Sequence, residues 1–238
     1  MPMRFAALLT VLFTGSTTLL LAQNDGDVQA YIKALKSTDP DVRRQAALAL
    51  EKLGPPARPA VPALQAALRD PDQFVRRFAA RALGAIGPQA APAVPDLVQM
   101  LRSEHREETE AAASALAKIG KPAVKPLARV LESSNDPVIV REVAKALGNI
   151  GPDAAPAVPA LIERLKNPPK VAAKPATGES RADLLAVLVE ALGNIGPAAR
   201  DAVPSIKALL SDKTLAKNKG FRAVALTAIK KISGSSNK

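Results

Sequence analysis

The densest group of side chains suited to chemistry is SEHREETE, 103–110, where Glu104, His105, Glu107 and Glu108 fall close together. An imidazole beside carboxylates is what a metal site or a general acid–base pair requires. His105 is the only histidine of the chain. Glu104, Glu107 and Glu108 share one helical face, and Glu110 joins another. A solvated helix start, with acids favoured by the dipole, accounts for the cluster better than a metal does. The chain has no cysteine, which excludes thiol catalysis, disulfides and thiolate metal sites. With one imidazole in a Glu-rich helix start, Ser-His acyl transfer is improbable, and no GxxxxGK phosphate loop occurs. No catalytic, cofactor-binding or metal-binding residue is expected, and no cofactor.

The other chemistry on offer is positive charge. Lys plus Arg number 33 against 22 Asp plus Glu. The excess is uneven: residues 23–165 carry a net +2 and residues 166–238 a net +8. Lys166, Lys170, Lys174 and Arg181 surround NPPKVAAKPATGES (167–180), and Lys213, Lys217, Lys219, Arg222, Lys230 and Lys231 follow. Such a patch attracts nucleic acid, anionic lipid or an acidic protein; the competing account is the polar outer face that a terminal repeat needs for solubility. Lys170, Lys174, Lys213, Lys217 and Lys219 are candidate partner contacts.

Residues 1–22 differ from the rest, with Arg4 ahead of the uncharged stretch FAALLTVLFTGSTTLLLA. This matches a secretory signal peptide cleaved after Ala22, or an uncleaved anchor. A periplasmic or secreted location is the expectation, with no further membrane span and a probable monomer.

The elements that must position these side chains come from an internal repeat. ALGNIGP occurs at 146–152 and again at 191–197. Aligned on the glycine that ends each such string, the copies fall at Gly54, Gly87, Gly120, Gly151 and Gly196, with Ser233 in the sixth glycine slot. The intervals are 33, 33, 31, 45 and 37 residues, the 45 containing an insertion. Each unit holds two helical patterns. In the first, Val42, Ala46, Ala49, Leu50 and Leu53 share a face, as do Val75, Ala79, Ala82, Leu83 and Ile86. Glycine then ends the helix, and proline follows. The second pattern is shorter, Val61, Leu64, Leu68 being repeated in each later unit. Prolines occupy its first turn, and Asp-Pro pairs at 39–40, 70–71 and 136–137 mark the turn into the next unit. Val28, Tyr31 and Leu35 match the second pattern alone, an orphan half-repeat. Gly84, Gly148 and Gly193 sit inside the last turn of first helices at roughly 1 kcal/mol each, which predicts a helix packed against their bare backbone. Asn149 and Asn194 are expected to bond backbone near the helix ends.

The pattern D-P-x-V-R-x-x-A-A-x-A-L-x-x-I-G-P, followed by A-V-P-x-L, resembles the HEAT repeat in its short, phycobilin-lyase-like variety, over residues 28–233. Units of this size cannot bury their apolar faces alone. An all-α, right-handed α-solenoid of about six helix pairs is therefore expected over residues 23–238, with a loop insertion at 167–180. The resemblance implies that the arginine after the Val (Arg43, Arg76) pairs with an acid in its own or a neighbouring repeat, although Glu108, Thr109 and Glu110 break the arginine run. It also implies that second helices line a concave surface, where Gln65, Gln99, Arg129, Arg164 and Lys207 would meet a partner. Di-iron members need paired His-Glu motifs, which this chain does not supply.

The function expected is an exported, non-enzymatic scaffold binding another protein, for which the basic charge suits an acidic one. Two alternatives stand beside it. A bilin lyase or isomerase follows from the resemblance, but the leader contradicts it. A nucleic-acid binder resembling HEAT-type alkylpurine glycosylases fits the charge. Only Tyr31, Phe74, Phe78 and Phe221 could stack bases, however, and most fall on core-like positions.

Overall fold

The computed structural model describes residues 28–171 and 180–234. The leader expected at 1–22, Lys174 and most of the insertion lie outside these residues. A half-repeat helix, α1 (Val28–Ala34), comes first. Six long helices follow: α2 (Pro40–Leu53), α4 (Gln73–Ile86), α6 (Arg106–Ile119), α8 (Pro137–Ile150), α10 (Arg181–Ile195) and α12 (Lys219–Ile232). Between them run five shorter ones: α3 (Val61–Ala67), α5 (Val94–Met100), α7 (Val124–Ser133), α9 (Val158–Lys166) and α11 (Val203–Leu210). Long helices pack on long and short against the next pair, so the chain is an α-solenoid with one continuous core.

The local signals explain the boundaries. Asp39, Asp72 and Asp136 cap α2, α4 and α8 by accepting first-turn N–H groups. Ser180 and Asp183 form a reciprocal capping box on α10, which satisfies two otherwise unpaired donors. Each of α2, α4, α6, α8 and α10 ends at a glycine of positive φ, between 65° and 80°, a conformation that costs glycine least. In the sixth unit Ser233 keeps φ −76° and Gly234 takes the positive value, 67°. The residues after each glycine form a turn of 3-10 helix, where proline supplies the fixed φ and lacks only an N–H that has no partner there.

The Asp-Pro pairs mark the turns into the next units as expected, Asp39 and Asp136 as helix caps and Asp70-Pro71 just ahead of the cap Asp72. One local expectation is corrected. Asn194 bonds no helix-end backbone; its Oδ1 accepts from Lys231 Nζ at 2.8 Å, across to α12.

The glycines inside the last turns do what close packing demands. A Cβ on Gly84 would lie 2.9 Å from Ala115 Cα, one on Gly148 3.0 Å from Ala191 Cα, and one on Gly193 2.9 Å from both Cα and Cβ of Ala228. Real Cβ atoms do not approach so closely, so bare backbone is what lets consecutive long helices touch. Ala115, Ala191 and Ala228 are all buried. The second-helix pattern is buried as expected in Val61, Leu64, Leu68 and their counterparts through Leu165; in the last unit Ile206 is buried and Val203 and Leu210 are partly so.

Candidate partner-binding surfaces

The first turns of the long helices carry the side chains that lock one unit to the next. Arg43 donates from Nε and Nη2 to the two oxygens of Asp70, at 2.7 and 2.8 Å, and from Nη1 to the carbonyls of Ser37 and Thr38. Arg76 repeats this one unit on. Its Nη1 donates to the carbonyls of Asp70 and Pro71, and Nε and Nη2 donate to Glu108 Oε1. Glu108 is buried and takes a further bond from Ser103 Oγ at 2.8 Å. Thr109 stands where the next arginine would be and bonds the carbonyls of Leu101 and Ser103. The expected break in the run is thus filled by a shorter donor. Arg44 reaches Asp72 and Asp41.

This geometry also accounts for the acidic stretch at 103–110. Glu108 is held by Arg76, Glu110 by Arg106 at 2.8 Å, and His105 is the exposed cap residue of α6. Arginine contacts shift the acid–base balance in the expected directions. The bidentate Arg44 guanidinium, aided by the N–H groups of Val75 and Phe74, holds the Asp72 carboxyl down to about 2. Arg43 is raised by Asp70, Arg44 by Asp72 and Arg106 by Glu110. At α10 the Ser180 backbone and hydroxyl lower Asp183. The turn donors of Thr214 and Leu215 hold Asp212 at about 2.

The short helices carry the polar residues singled out as partner contacts, and two of them are already engaged. Gln65 Nε2 donates to Asp96 Oδ2 at 3.0 Å and to the Pro92 carbonyl at 3.1 Å, joining α3 to the next unit. Arg164 donates to the carbonyls of Leu131 and Glu132 and so closes the C-terminal end of α7 from α9. Gln99, Arg129 and Lys207 are exposed on α5, α7 and α11. Lys170, Lys213, Lys217 and Lys219 are exposed as well, Lys170 beside the insertion and the other three in the last unit at and before the start of α12. The nine of these positions that are described are spread over α3, α5, α7, α9, α11, the start of the insertion and the segment leading into α12.

Successive long helices meet most closely where Gly84, Gly148 and Gly193 face Ala115, Ala191 and Ala228. The long-helix face carries Phe74, one of two large hydrophobic side chains substantially exposed among the described residues; the other is Leu226 on the last helix. It also carries, near the C-terminal end, an apolar cleft of about 220 Å³ between α10 and α12, lined by Gly193, Val224 and Ala228 with Glu190 and Lys231 at its edge. Neither feature was legible as a site: Phe74 is a lone aromatic at the place that Asp41 and Glu107 hold in the neighbouring units, and the cleft arises from small residues, Gly193 and Ala223, in adjacent units.

A family model for HEAT repeats matches residues 28–117 and again 94–177. None of the curated proteins compared matches the chain. Among solved structures, an engineered protein from the Northeast Structural Genomics Consortium is 26% identical with a TM-score of 0.54, covering 88% of this chain and 97% of that one. A second engineered protein from the same consortium is 22% identical with a TM-score of 0.54, covering 88% and 100%. A designed armadillo repeat protein, solved in complex with the peptide (KR)4, is 17% identical with a TM-score of 0.55, covering 87% and 100%. These likenesses agree on a stack of helical repeats.

Proposed function

The chain belongs to the HEAT-repeat family, and from that premise we propose that it is an exported, non-enzymatic scaffold that binds another protein through its stacked helices. The observation that carries this reading is the locking of unit to unit. Arg43, Arg76, Gln65 and Arg164 each reach across a unit boundary to a side chain or carbonyl. A stack so fixed presents a long helical surface without ordering it at the moment of binding, which spares the entropy that a flexible surface loses. The designed armadillo repeat protein solved in complex with peptide (KR)4 is one instance of a helical-repeat stack that binds a peptide. Fold alone does not set function, so the weight rests on the rigid surface of this chain.

Cross-linking in living cells, followed by mass-spectrometric mapping, tests the proposal. A single protein recurrently linked to exposed lysines of the long helices, such as Lys52 and Lys118, is the expected result. Repeated failure to recover any linked protein overturns it. The composition of residues 1–22 supports export. Fractionation with N-terminal sequencing is expected to find a mature chain beginning at Gln23 outside the cytoplasm; a cytoplasmic chain that retains Met1 contradicts that part.

A further inference from the structure

The long-helix face of the first three units has one place where an exposed aromatic ring and an unmatched guanidinium meet. Phe74 is 39% exposed, in the first turn of α4. The guanidinium of Arg44 lies 5.0 Å from its ring centroid and that of Arg77 5.8 Å. One turn further along α4, Arg81 stands 5.7 Å over Phe78. Residues 74, 77, 78 and 81 fall on a single stripe of the helix. A cation over an aromatic face is held in orientation by the ring quadrupole, so these side chains are ordered before any ligand arrives.

The charges are not equally committed. Arg44 is paired with Asp72 and Asp41, and Arg81 with Glu51. Arg77 has no carboxylate partner among the described residues, although it is only partly exposed. Its planar fork suits a carboxylate or a phosphate, each of which it can hold by two parallel bonds. Acids flank it along the stack. On the preceding unit Asp41 accepts one bond from Arg44, yet its side chain stays 76% exposed. On the following unit Glu107 is exposed, and Glu110, bonded by Arg106, is 44% exposed. The sign of the surface therefore runs negative, positive, negative across three units. A phosphate chain would be repelled at both flanks. A peptide of alternating sign is complementary throughout.

We propose that Phe74 and Arg77 anchor an extended segment of the partner protein that places one carboxylate on Arg77 and a basic side chain to either side. An apolar or aromatic residue beside the acid would cover Phe74, the kind of buried aromatic–arginine contact that dominates interface energy. Helix axes stand roughly 8–10 Å apart and an extended chain advances about 3.3 Å per residue. The flanking basic residues therefore fall about three positions from the acid. This rests on the protein-scaffold reading above and names the part of the surface that does the work.

Selection of short random peptides on the full chain tests it. One selected peptide is then titrated by fluorescence anisotropy against the wild type, Phe74→Ala, Phe74→Tyr, Arg77→Gln and Arg129→Ala. Circular dichroism checks that each variant stays folded. The expected result is a set of peptides with an acid flanked by bases, bound about tenfold or more weakly by Phe74→Ala and Arg77→Gln. Phe74→Tyr, which keeps the ring, and Arg129→Ala, on the short helix α7 away from Phe74, should bind like the wild type. Peptides that bind Phe74→Ala and Arg77→Gln as well as the wild type overturn this site and leave the scaffold reading intact. Failure to enrich any peptide overturns both. Binding of oligothymidylate at this site, weakening steeply with salt, overturns the peptide in favour of nucleic acid.

Discussion

Arg76 of the second unit and Val140 of the fourth stand at the same place, eleven residues before their unit's glycine, yet they join units by different physics. Arg43, Arg76 and Thr109 fill that place in the N-terminal half and reach carbonyls and carboxylates. Val140 and Leu185 fill it in the C-terminal half and are wholly buried. There Gly148 packs against Ala191 and Gly193 against Ala228, as Gly84 does against Ala115 in the first half, while the directional bonds come from other places: Arg164 to the Leu131 and Glu132 carbonyls and Lys231 to Asn194. Directional bonds accept one alignment and penalise others. Apolar packing supplies dispersion and burial but less direction. Arg43 and Arg76, which pair with carboxylates across units, stand near Phe74 and Arg77, where a ligand must meet several side chains in fixed relation.

The largest expected effect comes from breaking a lock. Arg76→Ala leaves Glu108 buried without its guanidinium and should cost roughly 3–5 kcal/mol in urea unfolding. The same position in the other half is tested by Leu185→Ala. A loss of about 2–5 kcal/mol is expected there, and because no charge is involved its size should not change with pH. Gly193→Ala comes next. Helix propensity alone would reward it by roughly 1 kcal/mol, but the new Cβ would meet Ala228, so a net loss of about 1–3 kcal/mol is expected from overpacking. A stabilised Gly193→Ala would show that the C-terminal helices are not so closely packed.

Acid sharpens the contrast at smaller amplitude. The folded Asp72 carboxyl sits at about 2 against an ordinary 3.8, a depressed value. Its contribution is therefore present in full above the ordinary value and is lost as pH falls toward the folded one. Thermal unfolding of the wild type should drop between these limits, and Asp72→Asn should lower stability at neutral pH and flatten that drop. An acid limb unchanged by Asp72→Asn would remove Asp72 from the lock. The smallest effect is expected of Arg129→Ala, exposed on α7, within about 0.5 kcal/mol of the wild type.

Much of this was legible in the sequence. The unit period, the helix pairs and the glycine ends follow from hydrophobic spacing and cap chemistry, which act within a few residues. Gly84, Gly148 and Gly193 were legible as close contacts because glycine inside a helix is costly without one. The arginine run was legible as a ladder, since acids stand one unit away. Gln65 and Arg164 looked like free contacts because a local pattern does not record that a long side chain reaches the carbonyls of the preceding or following unit. Phe74 stands where Asp41 and Glu107 stand in the neighbouring units, an outward place, but a lone aromatic there carries no spacing that marks a site.

The account depends most on the charged lock between the second and third units, and a double-mutant cycle on Arg76 and Glu108 tests it directly. Unfolding free energies of Arg76→Ala, Glu108→Ala and the double variant should reveal a coupling of about 1 kcal/mol or more. Single losses that simply add, within about 0.5 kcal/mol, would contradict it.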